Sequence, residues 1–118
     1  MYSVLLVDDE QILREGMRKF IPWEKHGFQV KFEAASGLEA LQVLRNERVD
    51  LVFLDIRMPE MSGLDLLAAI AGEREDLHVV IVSGYNEFDY AREALRFNVV
   101  DYLVKPLKTG EVADLLAR

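Results

Sequence analysis

Five short apolar runs alternating with helical patterns over 118 residues predict a single three-layer α/β domain on a parallel five-stranded sheet. Two observations carry this. Leu51-Val52-Phe53-Leu54 and Val4-Leu5-Leu6-Val7 lack polar alternation, as strands covered on both faces do. The segments between the runs place apolar residues at helical spacing, bounded by capping and breaking residues.

In chain order, Ser3 to Val7 is the first strand, and Ile12, Leu13, Met17, Phe20 and Ile21 give an amphipathic helix over 10–21, ended by Pro22. The stretch from Trp23 to Gly27 connects it to a strand over Phe28 to Ala34, whose alternation places it at the sheet edge; Trp23 itself is expected to pack at the helix end. Ser36-Gly37-Leu38-Glu39 has capping-box spacing and opens a helix with Leu38, Leu41 and Leu44 as its apolar stripe. After the central strand, Ser62-Gly63-Leu64-Asp65 repeats the pattern, Leu64, Leu67 and Ile70 face inward, and Gly72 closes the helix. His78 to Val82 forms the fourth strand, and Asn86 caps a helix carrying Phe88, Ala91, Ala94 and Leu95. Val99 to Val104 is the fifth strand, and a last helix from about Thr109 holds Val112, Leu115 and Leu116.

The inner strands end on polar residues. Asp55 closes the central run, and Asp8, Asp9 and Glu10 close the first. A lone acid at a strand end is most often a turn former. In the flavodoxin-like strand order 2-1-3-4-5, however, the two acidic ends become neighbours at the carboxyl edge, where open α/β sheets bind ligands. Carboxylates brought that close raise each other's proton affinity unless a cation joins them, and a few carboxylates with room for water suit Mg²⁺. Ser83 ends the fourth strand and Lys105 the fifth, so the same edge gains a hydroxyl donor and a cation. Metal-binding acids, a carboxylate nucleophile, a hydroxyl and a lysine together suit phosphoryl transfer onto a carboxylate.

Val7-Asp8-Asp9-Glu10, the run Leu54-Asp55-Ile56-Arg57-Met58-Pro59-Glu60-Met61-Ser62-Gly63, Ser83-Gly84-Tyr85 and Tyr102-Leu103-Val104-Lys105-Pro106 strongly resemble the receiver domains of bacterial two-component response regulators. The resemblance covers essentially the whole chain. It implies that Asp55 is the phospho-acceptor, that Asp9 and Asp55 ligate Mg²⁺ directly with Asp8 acting largely through water, and that the Arg57 backbone carbonyl is a further ligand. It also implies that Ser83 and Lys105 contact the phosphoryl group, that Tyr102 is a switch aromatic turning inward as Ser83 moves, and that the Lys105–Pro106 bond is cis, a form proline makes accessible at about 1 kcal/mol. The stretches Phe20 to Phe28, Ser83 to Ala91 and Val99 to Tyr102 are similar to the subgroup carrying an AraC-type DNA-binding domain. On this resemblance the chain is a receiver fragment of a longer regulator, phosphorylated by a sensor histidine kinase. It would reach DNA only through an output domain, and could form a homodimer through the fourth helix, fifth strand and fifth helix.

Other function classes fit less well. With 14 basic and 21 acidic residues the formal charge is −7, which repels a phosphate backbone, so this domain is not expected to bind nucleic acid itself. It has no cysteine, no run of the ~20 apolar residues a bilayer span needs, and no signal-peptide pattern, which suits a cytoplasmic protein. No Gly-rich phosphate loop follows any strand. Two readings remain: a phosphorylation-controlled interaction module, and an aspartyl-phosphate phosphotransferase or phosphatase. The haloacid-dehalogenase-like enzymes carry a second Asp two residues after the nucleophile, where this chain has Arg57. A stand-alone receiver that shuttles phosphate is a variant of the first reading. His26 stands in a connection with no second ligand near it in sequence, so neither a metal nor a relay role is assigned to it.

Overall fold

The strands assemble into one parallel sheet in the order β2-β1-β3-β4-β5, as the apolar runs predict. They are β1 (Tyr2–Val7), β2 (Phe28–Ala34), β3 (Leu51–Asp55), β4 (His78–Ser83) and β5 (Asp101–Val104). Three helices, α1 (Gln11–Phe20), α2 (Gly37–Asn46) and α3 (Gly63–Ile70), and a last helix, Thr109–Leu116, are interleaved with them. This computed structural model describes residues 1–56, 58, 60–70, 73, 76–84, 92, 99–105 and 107–117. The helix expected from Asn86, the helix stop at Gly72, the Arg57 carbonyl and the Lys105–Pro106 bond lie outside the described residues.

Every residue of β3 is buried, as are five of the six in β1 and in β4, which explains their unbroken apolar runs. The edge strand β2 alternates instead, with Gln29 and Lys31 exposed. Two cores flank the sheet. One gathers Leu5, Val7, Val52, Leu54 and Ile81 under α2 and α3; the other gathers Val4, Leu6, Phe53, Val80 and Val82 with Trp23 and the last helix. Trp23 is 5% exposed, meets Phe53 edge-on at 5.2 Å, and donates its indole N–H to the Met17 carbonyl at 3.0 Å, so it locks the end of α1 onto the sheet.

The caps form largely as their spacing predicts. Asp65 N–H donates to Ser62 Oγ and Ser62 N–H to the Asp65 carboxylate, both at 3.1 Å, a reciprocal box at the start of α3. At α2 the Glu39 N–H reaches Ser36 Oγ, but the Glu39 carboxylate accepts from Ala35 N–H rather than from Ser36.

Two apolar stripes sit differently from the pattern. On α2 Leu44 is buried and Leu41 packs against the core as the pattern predicts, but Gly37 and Ala40 are buried as well and Leu38 is 50% exposed. The helix is turned so that Gly37 meets the loop after β3, where a Cβ would lie 2.6 Å from the Met61 carbonyl oxygen. On α1 no residue is fully buried, and Ile12 and Phe20 stay about three-quarters exposed. The stripe of α1 borders a cleft of about 450 Å³ shared with the last helix, with Asp8 and Lys105 at one end.

Candidate functional site

The register of the sheet brings the site together. Val7 lies opposite Leu54 in the β1–β3 ladder, so the next residues out, Asp8 and Asp55, emerge side by side at the carboxyl edge. Asp55 pairs with Val82 and Ser83 with Val104, which sets Ser83 and Lys105 one step further along the same edge. Backbone bonds continue the ladders past the strand ends: Asp8 N–H to Ala34 O at 3.1 Å, Ile56 N–H to Val82 O at 3.1 Å, and Lys105 N–H to Ser83 O at 2.7 Å.

Lys105 joins the two acidic strand ends. Its Nζ lies 3.2 Å from Asp8 Oδ2 and 3.4 Å from Asp55 Oδ2, and both carboxylates are only 5% exposed. Burial works to lower the lysine's proton affinity, but the Asp55 and Asp8 carboxylates outweigh it, and its pKa is held above the ordinary 10.5. The lysine is therefore a fixed cation at neutral pH.

The acids of the first loop form the second part of the site. One carboxylate oxygen from each of Asp8, Asp9 and Glu10 lies within 4.8 Å of the others, with Asp8 buried and the other two exposed. An all-oxygen donor set, partly open to water, fits a hard divalent cation that keeps part of its hydration, as Mg²⁺ does. Glu10 belongs to this cluster although the strand-end reading did not single it out as a ligand. The loop is pinned from within, because Glu10 N–H donates to Asp8 Oδ1 at 2.9 Å.

The loop after β3 is held by contact. Gly63 N–H donates to Ile56 O at 2.9 Å, and a Cβ at Gly63 would fall 2.8 Å from both the Asp55 carbonyl oxygen and Ile56 Cα. Glu60, in the same loop, adopts φ 67°, a left-handed conformation that costs a residue with a Cβ about 1–2 kcal/mol. Ser83 is 2% exposed and Tyr102 38% exposed, so the tyrosine ring lies outward on β5.

Pattern reading did not anticipate the charge network behind the acids. Arg14, on α1, donates from Nη1 to the Asp8 backbone carbonyl and from Nε to Glu33 Oε1 at 3.2 Å; Arg18 reaches Glu33 Oε2 at 2.6 Å. The only sequence signal was two arginines one turn apart on α1, and their common partner lies on another element.

The chain matches the family profile for the response regulator receiver domain over residues 4–117. It is 39% identical over 118 residues to the transcriptional regulatory protein HptR of Staphylococcus aureus, covering 100% of this chain and 46% of that protein. A response regulatory protein of Staphylococcus epidermidis is 38% identical over 116 residues, 98% of this chain and 45% of that one. The chain thus spans about half the length of the curated relatives it matches. Among solved structures, the receiver domain of AraT, a response regulator from Geobacillus stearothermophilus, superposes with a TM-score of 0.91 at 42% identity, covering 98% of this chain and 90% of that one. A two-component transcriptional regulator AraC from Clostridium phytofermentans superposes with a TM-score of 0.89 at 31% identity, covering 99% and 91%.

Proposed function

The chain belongs to the response regulator receiver domain family, and from that premise we propose that it takes a phosphoryl group from a sensor histidine kinase onto Asp55. The observation that carries the proposal is the triple of Asp8, Lys105 and Asp55 at the carboxyl edge, in which a partly exposed lysine joins two buried carboxylates. An Asp55 carboxylate oxygen attacks phosphorus, the bond from phosphorus to the donor nitrogen breaks, and the imidazole leaves with that electron pair and takes up a proton. The product is an acyl phosphate on Asp55. Lys105, already within reach of Asp55, binds a phosphoryl oxygen, and the Ser83 hydroxyl binds another. Asp8 and Asp9, with Asp55 and the Arg57 carbonyl, would hold Mg²⁺, which supplies charge neutralisation on the transferring oxygens. Glu10, with a carboxylate oxygen within 4.8 Å of those of Asp8 and Asp9, would join these two through water.

The readout follows from connectivity. Ser83 ends β4 and bonds through its carbonyl to Lys105, while Tyr102 and Val104 are exposed on β5. A pull on Ser83 or Lys105 reaches this surface first, so β5, the last helix and the segment between β4 and β5 form the face that changes partner, by homodimerisation or by releasing an output domain. Tyr102 turns inward in that change. Coupling of this kind amounts to about 1–3 kcal/mol. The relatives named as transcriptional regulators favour an AraC-type DNA-binding output in the full-length protein, with this domain making no nucleic-acid contact of its own, and a cytoplasmic setting. The chain then acts on no outside substrate; it only gains and loses its own phosphoryl group.

Intact-protein mass after incubation with acetyl phosphate tests the proposal. One added phosphoryl group with Mg²⁺, and none when the metal is chelated, is the expected result. An unchanged mass under both conditions would contradict it.

A further inference from the structure

We propose that Arg14 is a positioning residue for the metal end of the site: its guanidinium fixes the Asp8–Asp9 peptide, and through it the Asp9 carboxylate, by bridging the Asp8 carbonyl to Glu33. This inference rests on the Mg²⁺ reading of the acids.

The backbone explains the need. Asp8 N–H is still in the sheet, bonded to Ala34 O, but the chain turns into α1 at this point and the Asp8 carbonyl leaves the ladder. A carbonyl at a buried position needs a donor, and the loss of one costs about 1–3 kcal/mol. Arg14 Nη1 supplies it. The carbonyl oxygen shares a rigid plane with the following Asp9 amide, so holding the oxygen sets where the Asp9 side chain starts. Asp9 itself is exposed, and its aim must come from the backbone beneath it.

The arginine is built in. Its side chain is 12% exposed, and its charge is answered by Glu33 at 3.2 Å, with Arg18 holding the other oxygen of that carboxylate. Arg14 N–H also bonds to Glu10 O in the first turn of α1, so one residue ties the helix start, the edge strand β2 and the acid loop into a unit. A planar guanidinium can serve two acceptors in fixed directions at once, whereas an ammonium at the end of a flexible stem serves them as a point charge.

Charge and positioning predict opposite signs. Removing a cation from behind an acid cluster should tighten Mg²⁺ binding if charge alone matters; if Arg14 aims the ligands, its loss should weaken it. Calorimetric titration with MgCl₂ at constant ionic strength, on variants first checked for folding by melting, separates the two. Arg14→Met and Arg14→Lys are expected to raise the Mg²⁺ Kd about tenfold, the lower end for lost outer-shell partners. Arg18→Met, which removes the other cation on Glu33 and leaves the Asp8 contact alone, should stay within about twofold, as half-exposed ion pairs contribute little. Should Arg14→Met fail to fold, Arg14→Lys decides. A folded Arg14→Lys that binds Mg²⁺ as the parent does, tighter binding by either Arg14 variant, or an equal loss in Arg18→Met would overturn the inference and leave the metal reading standing. A parent that binds no Mg²⁺ would overturn both.

Discussion

The glycines of this chain show how far one atom matters. At Gly63 an added Cβ would sit 2.8 Å from the Asp55 carbonyl oxygen and Ile56 Cα, backbone atoms that cannot rotate aside, whereas at Gly16 on α1 it would meet nothing within 4 Å. Gly63→Ala is therefore expected to destabilise by about 1–3 kcal/mol and to slow labelling at Asp55, while Gly16→Ala stabilises by about 0.4–1 kcal/mol through the unfolded chain. Denaturant melts of the two variants check the opposite signs. Lys105 gives a second residue-scale prediction. Its pKa is raised in the folded state, so its contribution is complete below the ordinary 10.5 and is lost as pH rises through the folded value. Lys105→Met should cost about 1–3 kcal/mol without metal by leaving two buried carboxylates short of their cation. That difference from the parent should hold level from about pH 7 to 9 and narrow only above the lysine's ordinary range. Narrowing already near neutrality would show that Lys105 is not held as a cation. Asp8, Asp55, Ser83 and Lys105 were all legible as residues because each ends a strand pattern. Arg14 was not, because its meaning depends on Glu33, 19 positions away on another element.

At the scale of elements, what was legible depended on whether the signal was local. Capping spacing is local: Ser62 and Asp65 bond reciprocally as their three-residue separation predicts. Ser62→Ala should cost about 1 kcal/mol. Because α3 starts directly beneath the Asp55 loop, it should also loosen that loop, which amide exchange at Ile56 and Gly63 would register. Which side of a helix faces the core is not local. The α2 face keeps Leu41 and Leu44 but turns Gly37 and Ala40 inward in place of Leu38, because the loop at Met61 leaves room for a glycine and no more. The apolar stripe of α1 was visible in the sequence, but its exposure at Ile12 and Phe20 was not, since that depends on how closely the last helix approaches. The fifth strand is shorter than its pattern, Asp101–Val104 rather than from Val99, although Val100 N–H still bonds to Val79 O at 2.7 Å.

Across the whole molecule, the sheet holds two cores together while its carboxyl edge gathers the acids that repel one another. A ligand that binds only the folded state adds RT ln(1 + [L]/Kd), about 2.7 kcal/mol at a hundredfold excess over Kd. Mg²⁺ should therefore raise the melting temperature, and Asp9→Ala should remove most of the rise while leaving the fold intact, since Asp9 is exposed and lies outside both cores. An unchanged melting temperature for the parent at millimolar Mg²⁺ would count against the metal site. The architecture was readable from three unbroken apolar runs because burial on both faces removes polar alternation, and the convergence of Asp8 and Asp55 then follows from the parallel register. The central claim is that this edge exists to phosphorylate Asp55. Intact mass of the parent and of Asp55→Asn, side by side with acetyl phosphate and Mg²⁺, tests it most directly. The parent should gain one phosphoryl group and the variant none; a variant that gains one under the same conditions would contradict the account.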